Sequence, residues 1–318
     1  MKNLIKKFTI ACFALTVLSC SDDDNNSTPV DNTVTGLAVR TPDLSLLVQA
    51  LTKAGLTDDL QAAGPFTVFA PTNQAFINAG YTAAAIEALP ASGIPALREL
   101  LLNHVVSGAV QSSGLTDDSY IKTLGKGAAS STNTLSMFVD TTGGVTLNGS
   151  ASVITTTNGG TFNIIASNGV IHLVDEVITL PTVVDHALAN DNFSTLTQLL
   201  SAQGLVSTLD GTASSPFTVF APSDAAFATF ETQNPGVLAS LNSGQVTSVL
   251  TYHVIGGANV LSTGIPASSP TLESGILQFS GTTITDERGR QTGIVAVDVQ
   301  CSNGVIHVIN NVLLPTFN

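Results

Sequence analysis

The sequence predicts an α+β protein made of two tandem domains. Two different strings recur in the same order: Pro-Phe-Thr-Val-Phe-Ala-Pro begins at Pro65 and at Pro216, and Ser-Asn-Gly-Val-Ile-His begins at Ser167 and at Ser302. This recurrence indicates an internal duplication, and a repeat of about 140 residues can bury its own core. A composition of 43% hydrophobic and 10% charged residues indicates a folded chain rich in strands and turns.

Residues 1–20 are predicted to be a secretory signal of the lipoprotein type. Three lysines come first, and the apolar run from Phe8 to Leu18 is too short for a permanent membrane span. The run ends in Ser19-Cys20, which resembles a bacterial lipobox, so Cys20 is the expected lipidation site and membrane anchor. An ordinary signal peptide with a chance cysteine is the alternative.

Residues 21–33 are predicted to be a flexible acidic linker. The run Ser21-Asp-Asp-Asp24 follows the expected lipid attachment and is similar to signals that send some Gram-negative lipoproteins to the outer face of the outer membrane. We therefore expect an exported, lipid-anchored and surface-exposed protein. The alternative is a periplasmic or secreted location, in which the linker carries no targeting signal.

Charge and cysteine usage exclude several function classes. The formal net charge is −13, which repels phosphate backbones, so nucleic acid is not an expected partner. Cys12 lies in the predicted signal, and Cys20 is the expected lipidation site. Cys301 is therefore left without an intrachain disulfide partner. We interpret Cys301 as a small buried residue rather than a reactive thiol.

The first domain, residues 34–181, begins with a helix and a doubly buried strand. Apolar residues spaced as on one helix face run from Leu44 to Leu51. In the repeated string the alternation places Phe66 and Val68 on one face and Phe69 on the other, which predicts a strand buried on both sides.

A second amphipathic helix in each repeat carries a histidine at the end of its apolar stripe. His104 ends this stripe in the first repeat, and His253 ends it in the second domain, residues 182–318. A histidine in such a position is more often a core residue with a satisfied hydrogen bond than a ligand or a base. His172 and His307, on the closing strands, are interpreted as structural for the same reason.

The remaining part of each repeat is predicted to be strands and turns. Gly-Gly and Asn-Gly pairs break short alternating segments, and the first repeat is longer between its two histidines, so we expect longer hairpins there, around residues 125–133. Each repeat closes with a hairpin, at Asn168-Gly169 or Asn303-Gly304, because Asn-Gly accepts positive φ. The strand that follows is almost wholly apolar and belongs in a core.

These landmarks together resemble the fasciclin family. The family's first box is similar to Phe66–Pro71, its central Tyr-His pair to Tyr252-His253, and its last box to Asn168–Pro181 and Asn303–Pro315. The resemblance implies a wedge of mostly antiparallel strands, or a sandwich, with helices packed around it. It also implies extracellular adhesion or matrix association.

The resemblance suggests candidate partner-binding residues. Some animal relatives bind integrins through the Tyr-His region, so Tyr252, His253, Asn103 and His104 are the candidates. Asn103 stands where the family has tyrosine, which weakens the transfer to the first repeat, and no Arg-Gly-Asp string is present.

We therefore predict a non-catalytic, surface-anchored adhesion or binding module. Its expected partner is a polysaccharide or a surface or matrix protein, self-association is an option, and no cofactor or metal is expected. Tandem copies raise avidity when both engage at once.

An exported hydrolase and a structural spacer without a specific ligand are the alternatives. The sequence lacks a Gly-x-Ser-x-Gly elbow, a His-Glu-x-x-His motif and a Cys-x-x-Cys pair. Asp175, an acidic candidate partner for a histidine, aligns with Asn310 in the second copy. Nothing in the sequence separates a spacer from a binding module.

Overall fold

The duplicated Phe-Thr-Val-Phe-Ala-Pro string forms a central strand of a curled mixed sheet in each half of the chain. The computed structural model describes residues 30–154, 163–211 and 213–317. Each half combines its sheet with packed helices, which confirms the predicted α+β class and the tandem arrangement. Domain 1 denotes the half that ends at Pro181, and domain 2 the half that begins at Thr182.

Along the chain, the helices of domain 1 come before most of its strands. The helices are α1 (Val34–Arg40), α2 (Ser45–Lys53), α3 (Thr57–Gln61), α4 (Asn73–Asn78), α5 (Ala83–Glu87) and α6 (Ile94–Leu102). The strands are β1 (Phe66–Pro71), β2 (Val105–Ser107), β3 (Ser119–Lys126), β4 (Thr134–Asp140), β5 (Thr146–Leu147), β6 (Ala151–Ser152), β7 (Ile164–Ala166) and β8 (Gly169–Val174). The sheet order is β6-β5-β4-β3-β2-β1-β8-β7, antiparallel except for the parallel pair β1–β8.

Domain 2 repeats this plan. Its helices are α7 (Val183–Ala189), α8 (Ser194–Ala202), α9 (Val206–Asp210), α10 (Asp224–Gln233), α11 (Val237–Ser240) and α12 (Ser243–Tyr252). Its strands are β9 (Phe217–Pro222), β10 (Val254–Gly256), β11 (Ser268–Pro270), β12 (Ile276–Ser280), β13 (Thr283–Thr285), β14 (Gln291–Gln300) and β15 (Gly304–Ile309). The order is β10-β9-β15-β14-β13-β12-β11, and β9 again pairs in parallel with the closing strand β15.

The central strand separates two apolar clusters in each domain, as its alternating sequence predicts. In β1, Val68 and Ala70 join the cluster under the helices, whereas Phe69 joins the cluster on the other face of the sheet. In β9, Val219 faces the helices and Phe220 faces away from them. Both faces of the strand are therefore buried, which explains why the string contains no charged residue.

The two repeated phenylalanines at the start of this strand differ in burial. Phe217 is fully buried in the helical cluster of domain 2. Phe66 is only partly buried and packs at the margin of the corresponding cluster in domain 1. The prediction of a strand buried on both faces therefore holds for Val68 and Phe69 but only in part for Phe66.

The hairpin predicted at Asn168-Gly169 joins β7 to β8, but its glycine has another role than the one predicted. Neither residue has positive φ. A Cβ atom on Gly169 would collide with the backbone oxygen of Phe66, and a Cβ atom on Gly304 would collide with that of Phe217. Glycine is required because the closing strand lies so close to the first strand of the parallel pair.

The asparagine before each of these glycines holds the first helix of its domain in place. The Asn168 Oδ1 accepts a hydrogen bond from the backbone N–H of Val34 at 2.8 Å, and its Nδ2 donates to the carbonyl of Leu60 at 2.9 Å. Asn303 makes the matching bonds to Val183 N at 2.9 Å and to the carbonyl of Leu209 at 2.8 Å. One side chain thus joins three separate segments of each domain.

The extra length of domain 1 includes a longer hairpin at the predicted place. Strands β3 and β4 are joined by residues 127–133, whereas the equivalent strands of domain 2, β11 and β12, are joined by the shorter stretch 271–275. The turn predicted at Gly159-Gly160 lies outside the described residues.

Burial predicts unequal costs for truncating the two phenylalanines. We expect Phe217→Ala to lower the free energy of unfolding by about 3–5 kcal/mol, because it leaves a cavity in a fully packed cluster. Phe66→Ala should cost clearly less. Urea unfolding of the two variants checks this difference, and equal losses would contradict it.

Candidate functional site

The Tyr-His pair of domain 2 lies at the end of α12, inside the protein. The side chains of Tyr252 and His253 are 0% and 3% exposed. The Tyr252 hydroxyl donates to the carbonyl of Ile276 at 3.1 Å and accepts from the backbone N–H of Glu287 at 3.0 Å. Burial raises the pKa of this hydroxyl above its ordinary value. Tyr252 therefore fastens the β12 strand and the loop after β13 to the helix.

His253 bridges its helix to the last segment of the domain. Its Nδ1 lies 2.7 Å from the carbonyl oxygen of Val249, and its Nε2 lies 3.0 Å from the backbone nitrogen of Leu313. An amide N–H only donates, so Nε2 is the acceptor and Nδ1 carries the proton. The ring is neutral, and both of its nitrogens are engaged.

His104 makes the same bridge in domain 1. Its Nδ1 lies 2.8 Å from the carbonyl of Leu100, and its Nε2 accepts from Ile178 N at 2.8 Å. Burial lowers the pKa of His104 and of His253 to about 4, against 6.5 for an ordinary histidine. Neither ring has a free lone pair at neutral pH, which agrees with the prediction of core histidines and disfavours a catalytic base.

Asn103 replaces tyrosine in domain 1 and performs a related structural role. It is fully buried, its Nδ2 donates to the carbonyl of Thr179 at 2.9 Å, and its Oδ1 accepts from the Thr123 hydroxyl at 3.2 Å. The shorter side chain thus connects the end of α6 to strand β3 and to the segment after β8.

None of the four candidate partner-binding residues presents an accessible side chain. Asn103, His104, Tyr252 and His253 each hold the end of a helix against a later segment of their own domain. Their role in binding stays a prediction, and in this conformation it would have to act through the loops that they position.

The histidines on the closing strands are also engaged in the interior. His172 stacks on Phe69 with ring centroids 5.3 Å apart, and its Nε2 lies 2.9 Å from the carbonyl of Val110. His307 stacks on Phe220 at 5.6 Å and makes the matching contact with Val260 at 2.9 Å. Both rings support the loop that follows the second strand of the domain.

The junction between the two domains is a site that the sequence analysis missed. The Lys122 ammonium donates to the carbonyl of Asp298 at 2.8 Å and to the Ser136 hydroxyl at 2.9 Å, and Ser136 Oγ also accepts from Gln300 N at 3.0 Å. Burial lowers the pKa of Lys122. Side chains of β3 and β4 therefore hydrogen-bond directly to β14 of the other domain.

His186 lies on the domain 2 side of this junction. It is fully buried, and its ring is edge-on to that of Tyr120 with centroids 5.4 Å apart. Its nitrogens have no hydrogen bond of normal geometry among the described residues. The clue in the sequence was that His186 is the one histidine without a counterpart: Leu37 occupies the matching position of α1.

Two grooves lie along the junction, on either side of Ala189. One, of about 180 Å³, is bordered by Asp117, Asp118, Asp140 and Asp191. The other, of about 200 Å³, is bordered by residues of several chemical types: Asn148, Gly149, Ser150, Thr179, Pro181, Asp185 and Leu188. Leu188 is 58% exposed, although it is a large apolar residue. Grooves between domains are frequent binding sites.

The described residues hold no group of three or more histidine, cysteine, aspartate or glutamate side chains arranged to bind a metal ion. Within the same residues, no helix has the length and apolar character needed to cross a membrane. Cys20 lies outside the described part of the chain, and Cys301 is a buried free thiol whose pKa burial raises well above normal.

Comparison with known families gives one clear match. The fasciclin domain matches residues 42–181 and again residues 191–315. The chain belongs to the fasciclin family. Both matched segments contain the repeated strand, the buried histidine and the closing strand described above. The residues that the chain shares with the family therefore lie mainly in the interior of each domain.

Fasciclin relatives cover the chain to different extents. An uncharacterized protein of Synechocystis sp. is 35% identical over 140 residues, which is 42% of this chain and 98% of that protein. Human periostin is 30% identical over 275 residues, which is 82% of this chain but 29% of periostin.

A solved structure supports the same fold. It is a FAS1 domain pair from the insect cell adhesion molecule fasciclin I, with a TM-score of 0.51 and 18% sequence identity. The match covers 87% of this chain and 97% of the other. The two chains therefore share the tandem fasciclin fold.

The lowered histidine pKa values predict loss of stability in acid. As the pH falls below 6.5, the unfolded chain takes up protons, whereas the folded chain resists until about 4 at His104 and His253 and about 3 at His186. Each ring should then remove up to about 1.4 kcal/mol of unfolding free energy per pH unit within its window.

A single substitution tests the contribution of the junction. We expect His186→Leu, which introduces the side chain of the matching Leu37, to reduce the pH dependence of the unfolding free energy between about pH 6 and about pH 5 by roughly one protonation. Urea unfolding across this range measures it. An unchanged slope would mean that His186 is not held neutral in the folded chain.

Proposed function

We propose that this protein is a non-catalytic adhesion or binding module anchored to the outer membrane by a lipid on Cys20 and exposed at the cell surface. The observation that carries the proposal is that the histidines found at matching positions in both repeats serve their own domains. His104, His253, His172 and His307 all contact the backbone of the domain in which they lie. What remains for a partner is the outer surface of two linked domains.

The family assignment supports adhesion, because a related domain pair comes from an insect cell adhesion molecule. Anchoring is supported by the lipobox-like Ser19-Cys20 and by the acidic linker after it. A periplasmic or secreted location is the alternative. A structural spacer is the second candidate, and the hydrogen-bonded junction favours it because such a junction limits movement between the domains.

The partner-binding surface in this proposal is the groove at the domain junction that Leu188 and Asn148 border. It presents the exposed Leu188 among polar lining residues such as Asn148 and Ser150. Neither groove has an exposed aromatic ring, since Phe138 is 3% exposed, and sugar rings commonly stack on such rings. A surface or matrix protein therefore fits better than a polysaccharide.

A pair of matched substitutions tests this surface. Leu188 of α7 and Val39 of α1 occupy equivalent positions in the two domains and are 58% and 62% exposed. The purified Cys20→Ser chain is applied to arrays of matrix proteins and glycans. We expect saturable retention on a protein ligand, weakened about tenfold or more by Leu188→Ser and unchanged by Val39→Ser.

Equal retention of the two variants would exclude the junction groove. Retention on glycans alone would reverse the choice of partner. No retention on any surface, with the fold intact by circular dichroism, would favour the spacer.

The anchor is tested separately. Cys20→Ser should remove incorporation of labelled fatty acid and release the protein from the membrane fraction, because one polar residue cannot replace buried acyl chains. Digestion of intact cells with an added protease then distinguishes surface display from a periplasmic location. Continued membrane association of Cys20→Ser would contradict lipid anchoring.

A further inference from the structure

Domain 2 contains an apolar cavity among its helices. The cavity has a volume of about 50 Å³ and lies between helices α8, α10, α11 and α12. Its apolar lining residues include Leu199, Phe227, Leu238, Val246 and Leu250. The only polar side chain in the lining is His253, and both of its ring nitrogens are already hydrogen-bonded to the backbone. Nothing in this cavity can recognise a polar group.

Within the described residues, no hydrogen bond joins helix α11, which forms one wall of the cavity, to α8 or α12. Every hydrogen bond of the segment 234–241, which contains α11, has its partner within residues 230–241 of the described structure. The segment enters α11 through Gly236, whose φ of 73° is left-handed. Leu238 and Leu241 are only partly buried. Helix α11 can therefore move away from α8 and α12 without breaking a hydrogen bond to either helix.

The equivalent helix of domain 1, α5, is hydrogen-bonded to α2 and packs a side chain into the core. Helix α5 accepts a hydrogen bond from Gln49 Nε2 at the carbonyl of Ala83, at 3.1 Å, and one from the Lys53 ammonium at the carbonyl of Glu87, at 2.7 Å. It places Ile86, which is 1% exposed, in the core. The duplicated domains thus differ at this position in both the filling and the attachment of one helix.

The opposite wall of the cavity is rigid and has a neutral polar margin. The Oε1 of Gln203, one turn beyond Leu199, accepts hydrogen bonds from the hydroxyls of Ser243 at 2.7 Å and Thr247 at 3.1 Å. These bonds clamp α8 to α12. A ligand that enters from the side of α11 therefore meets a fixed apolar floor with amide and hydroxyl groups at its margin.

We propose that domain 2 binds the aliphatic chain of a neutral amphiphile in this cavity, with α11 as its movable cover. Apolar cavities of this kind stay dry and bind apolar molecules. The volume accommodates the end of a hydrocarbon chain, and displacement of α11 would extend it. A neutral head is preferred, because the chain has a net charge of −13 and no basic residue lines the cavity.

The test uses the purified Cys20→Ser chain, which carries no lipid of its own, with labelled leucine, isoleucine and valine methyl groups. We expect 1-decanol to cause saturable NMR shifts at Leu199, Leu241 and Val246, while Ile86 of domain 1 does not respond. Vesicles of dioleoylphosphatidylcholine, tested separately, identify the source: matching shifts indicate a membrane lipid, and their absence indicates a free amphiphile.

Two variants place the same ring inside and outside the cavity. Val246→Phe fills it and should weaken decanol binding about tenfold or more, since this corresponds to about two buried methylene groups. Ala239→Phe adds the ring to the exposed side of α11 and should leave binding unchanged. No saturable shifts in the parent chain, or equal affinity of the two variants, would overturn the proposal. Should Val246→Phe fail to fold, the methyl shifts of the parent chain decide the question.

Discussion

In each domain a buried, neutral imidazole joins the end of a helix to the chain that returns after the last strand. His104 and His253 each bind a carbonyl one turn back and a backbone N–H that is 74 or 60 positions further along the chain, respectively. Without this ring, the helix end and the returning segment would both contain unsatisfied buried polar groups, which are costly in a dry interior. The contact fixes the turn between the last helix and the second strand of each domain to the segment that follows the closing strand.

The sequence predicted those features that depend on local pattern. Alternation in the repeated string placed Val68 and Phe69 on opposite faces of a buried strand, and helical spacing placed His104 and His253 at the end of an apolar stripe. The closing hairpin was predicted correctly but for the wrong reason, since neither Asn168 nor Gly169 has positive φ. The need for Gly169 arises from the backbone of Phe66, which is remote in sequence, so turn chemistry alone could not reveal it.

What the sequence could not reveal is where the two copies touch and how they differ. Lys122 and Ser136 read as ordinary polar strand residues until the fold brings β14 beside them. The cavity under α11 was also invisible, because its lining residues have the pattern of a filled core. Duplication offered an indirect signal: positions at which the repeats disagree, such as His186 against Leu37, mark places where one copy has acquired a separate role.

The parallel pairing of the first and last strands has a consequence for biogenesis. Strand β1 pairs with β8 and β9 pairs with β15, so each sheet stays open until nearly all of its domain is available. Such long-range pairing delays folding relative to local structure. During synthesis, one edge of the first strand of each domain therefore stays unpaired until the last strand of that domain has been made.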